Sequence, residues 1–145
     1  MDSPLPLPRM QQRIRDSFAR QGLMQHLGAT LAETEPGRIA IQLSRRREVS
    51  QHNGFIHAGA LGAIADSAGG YAAFTLFTEA DDVLSIEYKM NFMSPAAGER
   101  VEAVGTVVKS GRTLTVCNLE VFDLETNRKL IAVGQQTLIR VPLKA

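Results

Sequence analysis

The chain has 145 residues, enough for one domain with a real hydrophobic core. Apolar residues make up 44% and charged residues 21%, an ordinary balance for a globular protein, and a net charge of +1 leaves no electrostatic footprint for nucleic acid. The single cysteine, Cys117, excludes an internal disulfide framework and a cysteine-based metal site, so a reducing, intracellular compartment is expected. Asp66 interrupts the longest apolar run before it reaches the length of a membrane span, and the opening MDSPLPLPR lacks the basic-then-apolar order of a signal peptide. The expectation is a cytoplasmic protein with no membrane partner.

In chain order, Asp2–Pro8 carries prolines at positions 4, 6 and 8 and reads as a short extended arm that cannot be helical. From Arg9 to Gln21, Met10, Ile14 and Phe18 recur every four residues, which predicts an amphipathic helix stopped by Gly22, with Arg9, Arg13, Arg15 and Arg20 on its solvated face. Residues 1–25 are therefore taken as an N-terminal arm and helix, and 26–145 as the main domain. Ala29–Glu35 and Arg38–Leu43 flank Pro36-Gly37 and predict a hairpin. The cluster Arg45-Arg46-Arg47 reads as a solvated loop or as a contact for a phosphate-bearing substrate.

The stretch Gln51–Ala73, QHNGFIHAGALGAIADSAGGYAA, organises the rest. A glycine-punctuated polar turn runs into a helix of small apolar residues, predicted to persist to about Thr78, whose one charge is Asp66. A helix apolar on all sides is buried, and Asp66 is expected to be buried with it. An unpaired carboxylate out of water costs several kcal/mol, so Asp66 is either paired or kept for chemistry. After a polar turn at Glu79–Asp82, Val83–Met93 alternates cleanly: Leu84, Ile86, Tyr88, Met90 and Phe92 on one face, Ser85, Glu87, Lys89 and Asn91 on the other. Arg100–Lys109 and Thr113–Phe122 are two strands joined by Ser110-Gly111-Arg112, and Leu130–Val141 is a last strand. An antiparallel sheet wrapped around the central helix satisfies every apolar face, with a second subunit covering what the sheet leaves open.

Gln51, Gly54, His57-Ala58-Gly59 and Asp66, nine positions after the histidine, together with the SIEYKMNFMSPA strand and the VVKSGRTLTV hairpin, resemble the hotdog-fold acyl-CoA thioesterases of the PaaI-like (phenylacetyl-CoA thioesterase) family. The resemblance implies an α+β hotdog fold and hydrolysis of aryl or short- to medium-chain acyl-CoA. No metal or separate cofactor is implied, since coenzyme A enters as part of the substrate. The start of the central helix offers unpaired N–H groups and the positive end of a dipole, which suit a developing oxyanion. By resemblance the amides of Ala58 and Gly59 form that oxyanion hole, and Asp66 is nucleophile or general base. Asp66 lies seven or eight residues on, roughly 11 Å along one helix, so the acid is expected from a second subunit, in a homodimer or a dimer-of-dimers homotetramer.

The same carry-over gives Gln51 an orienting role toward water or carbonyl, and makes Ser85 either an assistant to the acid or an ordinary strand hydroxyl. Asn53 and Gly54, with His52, line the entrance. Lys109, Ser110, Gly111, Arg112 and Thr113 match a loop that touches the nucleotide of coenzyme A. His57 is read first as a cap of the helix start and second as an acid–base group. Phe55, Tyr71, Phe74, Phe77, Met90 and Phe92 are either core or acyl-pocket lining. A hydroxyacyl-thioester dehydratase is a rival, but QHNGFIHAG lacks the proline-containing histidine loop of those enzymes. A non-catalytic acyl-CoA or aromatic-ligand binding module would gain nothing from a desolvated acid. A Ser-His-Asp hydrolase lacks its G-x-S-x-G elbow.

Overall fold

The computed structural model describes residues 3–144. Two helices, α1 (Leu7–Ala19) and α2 (Gly22–Leu27), lead into the hairpin β1 (Thr30–Glu35) and β2 (Arg38–Ser44). The long helix α3 (Ala58–Phe74) follows, then β3 (Asp81–Phe92), β4 (Arg100–Ser110), β5 (Leu114–Asp123) and β6 (Lys129–Pro142). The strands form one antiparallel sheet in the order β1-β2-β4-β5-β6-β3, and α3 packs against β2, β3, β4, β5 and β6. This is the expected α+β hotdog arrangement.

The N-terminal region departs from the reading of an extended arm followed by one helix. Asp2 lies outside the described residues, but Leu7 and Pro8 already belong to α1, with Pro6 at its N-cap. Proline is tolerated there because first-turn N–H groups have no intrahelical partner. Gly22 opens α2 rather than ending α1, and α2 closes on Gly28, which takes the left-handed conformation at φ 74°. His26 therefore sits in the last turn of α2. Met10, Ile14 and Met24 join the same apolar cluster as Ile64, Ala68 and Phe77 of the centre, so both helices are part of one core. Arg13 is also more than a solvated charge. It donates to the Thr78 carbonyl at 2.8 Å and to that of Asp81, and its guanidinium lies 3.8 Å over the Phe74 ring.

The helix α3 stops at Phe74, short of the expected Thr78. Thr75 ends it: its hydroxyl donates to the Ala72 carbonyl at 2.7 Å and accepts the Gly37 N–H of the β1–β2 turn at 2.7 Å. At mid-length the helix backbone rests directly on the sheet. A Cβ on Gly105 of β4 would lie 2.5 Å from the carbonyl carbon of Ala68, and one on Gly69 would fall inside the Gln136 side chain of β6. Ala58, Gly59, Ala63, Asp66 and Gly70 form a less covered stripe along the opposite side.

β3 corrects the sequence reading most. It begins at Asp81, and its pairing with β6 shifts between Ser85 and Glu87, a bulge at Ile86. The extra residue switches which side chains face the helix. Ser85 is therefore on the helix side with Tyr88, whose hydroxyl comes up against Gly62, and with Met90, which packs on the core. Leu84 and Ile86, read as belonging to the Tyr88 face, are more than half exposed.

Two consequences are measurable. Gly105→Ala should destabilise the fold by about 1–3 kcal/mol through overpacking, read as a lower urea midpoint at unchanged slope. Cys117 is fully buried and its thiol is pushed up to about 12 by burial. It should resist a disulfide reagent in the native protein and react on unfolding. Because only the unfolded thiol ionises as pH passes its usual 9.0, this group should lower stability progressively from there up to about 12.

Candidate active site

Asp66 is half-buried rather than fully buried, and it is paired. Its Oδ1 accepts from Ser85 Oγ at 2.6 Å and from Gln136 Nε2 at 2.5 Å. Gln136 Nε2 also lies 3.0 Å from Ser85 Oγ and 3.2 Å from the Asp66 carbonyl, which ties the acid, its strand and its helix together. Both partners are neutral, and both converge on one oxygen. Among the described residues Oδ2 has no hydrogen-bond partner, and the carboxylate borders a pocket of about 140 Å³. The arrangement supplies a carboxylate anchored through one oxygen at the edge of a pocket.

Gln136 was not singled out from the sequence. Its signal was faint: a polar residue in the last strand that turns out to be only 1% exposed. Gly69 makes room for it, and its own Oε1 points there with no partner among the described residues. Tyr71, left open between core and pocket, lines the Asp66 pocket, and so does Gln21, which the sequence reading passed over.

The second group of candidate residues gathers at the start of α3. His57 is its N-cap, with Nδ1 accepting the Gly59 N–H at 2.7 Å. That bond occupies one of the two amides assigned to the oxyanion hole. The Ala58 N–H, by contrast, has no partner among the described residues. Gln51 Oε1 turns back to accept the Asn53 N–H, and the Gln51 carbonyl accepts the Gly54 N–H at 2.9 Å, with Gly54 at φ 84°. Asn53 and His52 pair side by side at 3.3 Å. Gln51, His57 and Ala58 line a groove of about 540 Å³ whose other wall includes Phe55, Phe92 and Met93. Phe74 and Phe77 are core, and Met90 packs against it.

Within one chain these two groups stay apart. The groove holding Ala58 and the pocket holding Asp66 share no lining residue. Lys109, Ser110, Gly111, Arg112 and Thr113 form the β4–β5 tip, closed by Gly111 N–H to the Leu114 carbonyl at 2.7 Å, and line neither cavity. Arg45 pairs with Glu99, and Arg46 with Glu48 and the His26 carbonyl, so two of the three clustered arginines are engaged locally.

Comparison with known proteins gives a consistent result. Residues 53–129 match the thioesterase superfamily. A thioesterase family protein from Silicibacter pomeroyi superposes with a TM-score of 0.88 at 41% identity, over 92% of this chain and 99% of that one. The E. coli PaaI protein from the phenylacetic acid degradation operon shares the fold, with a TM-score of 0.82 at 18% identity over 91% of this chain and 93% of that one. The 1,4-dihydroxy-2-naphthoyl-CoA hydrolase of Listeria monocytogenes is 24% identical over 81% of this chain and 94% of its own length. A matched region that contains the α3 start, Asp66 and Ser85, set in a hotdog fold, identifies the chain as a member of the thioesterase superfamily and a thioester hydrolase.

Proposed function

We propose that the protein hydrolyses acyl-CoA thioesters, with Asp66 acting through Oδ2 on a carbonyl held by the Ala58 N–H of a second subunit. The observation that carries this reading is the one-sided anchoring of the carboxylate: two donors fix Oδ1 and leave Oδ2 unpaired beside a pocket. A base or nucleophile needs a defined direction and a free lone pair, and this arrangement gives both.

In the general-base route, Oδ2 takes a proton from water, and the hydroxide attacks the thioester carbonyl carbon. The carbonyl electron pair moves to oxygen, where the Ala58 N–H and the helix dipole stabilise it. Collapse breaks the carbon–sulfur bond, and the departing coenzyme A thiolate takes back the proton from Asp66. In the nucleophilic route, Oδ2 attacks the carbonyl directly, thiolate leaves, and water hydrolyses the resulting anhydride. A covalent acyl–Asp66 adduct, caught by rapid acid quench and read by mass spectrometry, forms only in the second route and separates the two.

The need for two subunits is supported by the separate cavities and by β3. Its twelve residues form an edge of the sheet, with Leu84, Ile86, Tyr88 and Phe92 each 46–59% exposed. A long apolar edge strand is a template for pairing with another strand, unless it is blunted or covered. Pairing two copies through β3 brings their α3 helices side by side along the uncovered stripe that carries Ala58 and Asp66. The exposed Lys109 and Arg112 then remain candidates for the coenzyme A phosphates, as charged groups suited to them.

Thiol release from acyl-CoA should fall at least about a hundredfold in Asp66→Asn, with the fold unchanged by circular dichroism; full activity in that variant overturns the mechanism. Gln136→Leu should lower kcat more than it raises KM, because it frees Oδ1 without touching substrate. Ala58→Pro removes one N–H at a helix position where proline is favoured, and should be inactive. Mixed and reassembled with Asp66→Asn, it should recover roughly a quarter of wild-type activity, since half the dimers are mixed and each has one intact site. No recovery, with mixed dimers demonstrated, argues for a site within one chain.

A further inference from the structure

We infer that Gln21, at the joint between α1 and α2, is the end wall of the acyl pocket and sets the longest acyl group the enzyme accepts. The inference rests on the thioester-hydrolase reading of Asp66.

The pocket that holds Asp66 and Ser85 is also lined by Gly70, Val83, Leu138, Gln21, Ser67 and Tyr71, and the hydrogen bonds of Gln21 join the last three into one wall. At about 140 Å³ it is close to the roughly 150 Å³ apolar cavity that holds one benzene ring. A group about the size of a single ring fills that space. The pantetheine arm of coenzyme A is too long for it, so the acyl side of the thioester enters here and the thiol side leaves toward the open groove.

That wall is fixed. Gln21 Nε2 donates to the Tyr71 hydroxyl at 2.8 Å, and Gln21 Oε1 accepts from Ser67 Oγ at 3.3 Å. The Tyr71 hydroxyl also pairs with Ser17 at 3.0 Å, and its ring is 4% exposed. Both ends of the amide are thereby engaged within the protein, which holds the side chain in place at the pocket. The backbone that carries it is held by Met10 and Ile14 on one side and Met24 on the other, each no more than 2% exposed. A segment outside the sheet-and-central-helix layer thus supplies the residue that limits the substrate.

The test compares kcat/KM for acetyl-, butyryl-, benzoyl- and decanoyl-CoA in wild type and three variants, with melting temperatures alongside. Gln21→Ala shortens the wall and should raise the decanoyl-to-butyryl ratio by at least about tenfold, the scale of a few methylenes in a pocket. Gln21→Leu keeps the bulk and should leave that ratio near the wild-type value. Gly70→Ala adds a methyl inside the pocket, where its Cβ would meet Leu138 at an ordinary 3.6 Å, and should lower the benzoyl-to-acetyl ratio. If Gln21→Ala does not fold, the Gly70→Ala result decides. An unchanged profile in an active, folded Gln21→Ala, or an equal loss on every substrate, overturns the inference and leaves the hydrolase reading standing. No thiol release from any acyl-CoA by wild type overturns both.

Discussion

The backbone of α3 at Ala68 and Gly69 lies on the sheet without side chains between them, and most of the molecule follows from that approach. It requires glycine at 105 beneath the helix and glycine at 69 on it, since a Cβ at either place would enter a neighbour. Bringing the helix this close lets Gln136, rooted in β6, reach the Asp66 side chain one turn back along α3. With larger residues at these positions the helix would ride higher, and the amide could not bond carboxylate, serine and helix carbonyl at once. The small residues along α3 therefore serve the site as well as the packing.

The electrostatics of Asp66 follow from the same geometry. A carboxylate that meets an arginine gains stability but loses freedom, because its charge is largely committed to the pair. Here the partners are a hydroxyl and an amide, both on one oxygen. They offset part of the desolvation cost while leaving the charge available on the other oxygen. Among the described residues Gln136 is in turn left with an unpaired Oε1 against Gly69. A buried orphan acceptor is a cost that a purely structural network would avoid.

Each chain also leaves its apolar business unfinished along one side. The stripe of α3 bearing Ala58, Ala63, Asp66 and Gly70 is less covered than the rest, and β3 beside it exposes large apolar groups on an unpaired edge. These features adjoin each other and adjoin both cavities. A second copy covering them would bury the exposed surface and close the separation between acid and amide together, which is why the proposed mechanism and the proposed assembly stand on common ground.

The sequence by itself determined most of the elements and the acid, though not α2. Period-four apolar spacing marked α1, Pro36-Gly37 and Ser110-Gly111-Arg112 marked two hairpins, and alternation marked β2 and β3. The lone charge in a small-residue helix marked Asp66 before any geometry was known. These signals are local: they depend on propensity and on which residues repeat at which interval. What required tertiary structure was everything set by contact between distant segments. The bulge at Ile86 reverses the facing of β3, so clean alternation pointed Ser85 away from the acid it bonds. Gln136 is seventy residues from Asp66, and Gln21 reaches the pocket from a helix joint that showed no pattern of its own. His57, read first as a cap of the helix start, takes the Gly59 N–H two residues on, a contact as local as the signal that marked it. Periodicity fixes which face a residue occupies only while the period holds, and a single inserted residue or a glycine that admits a neighbour's side chain changes the outcome without leaving a mark on the local pattern.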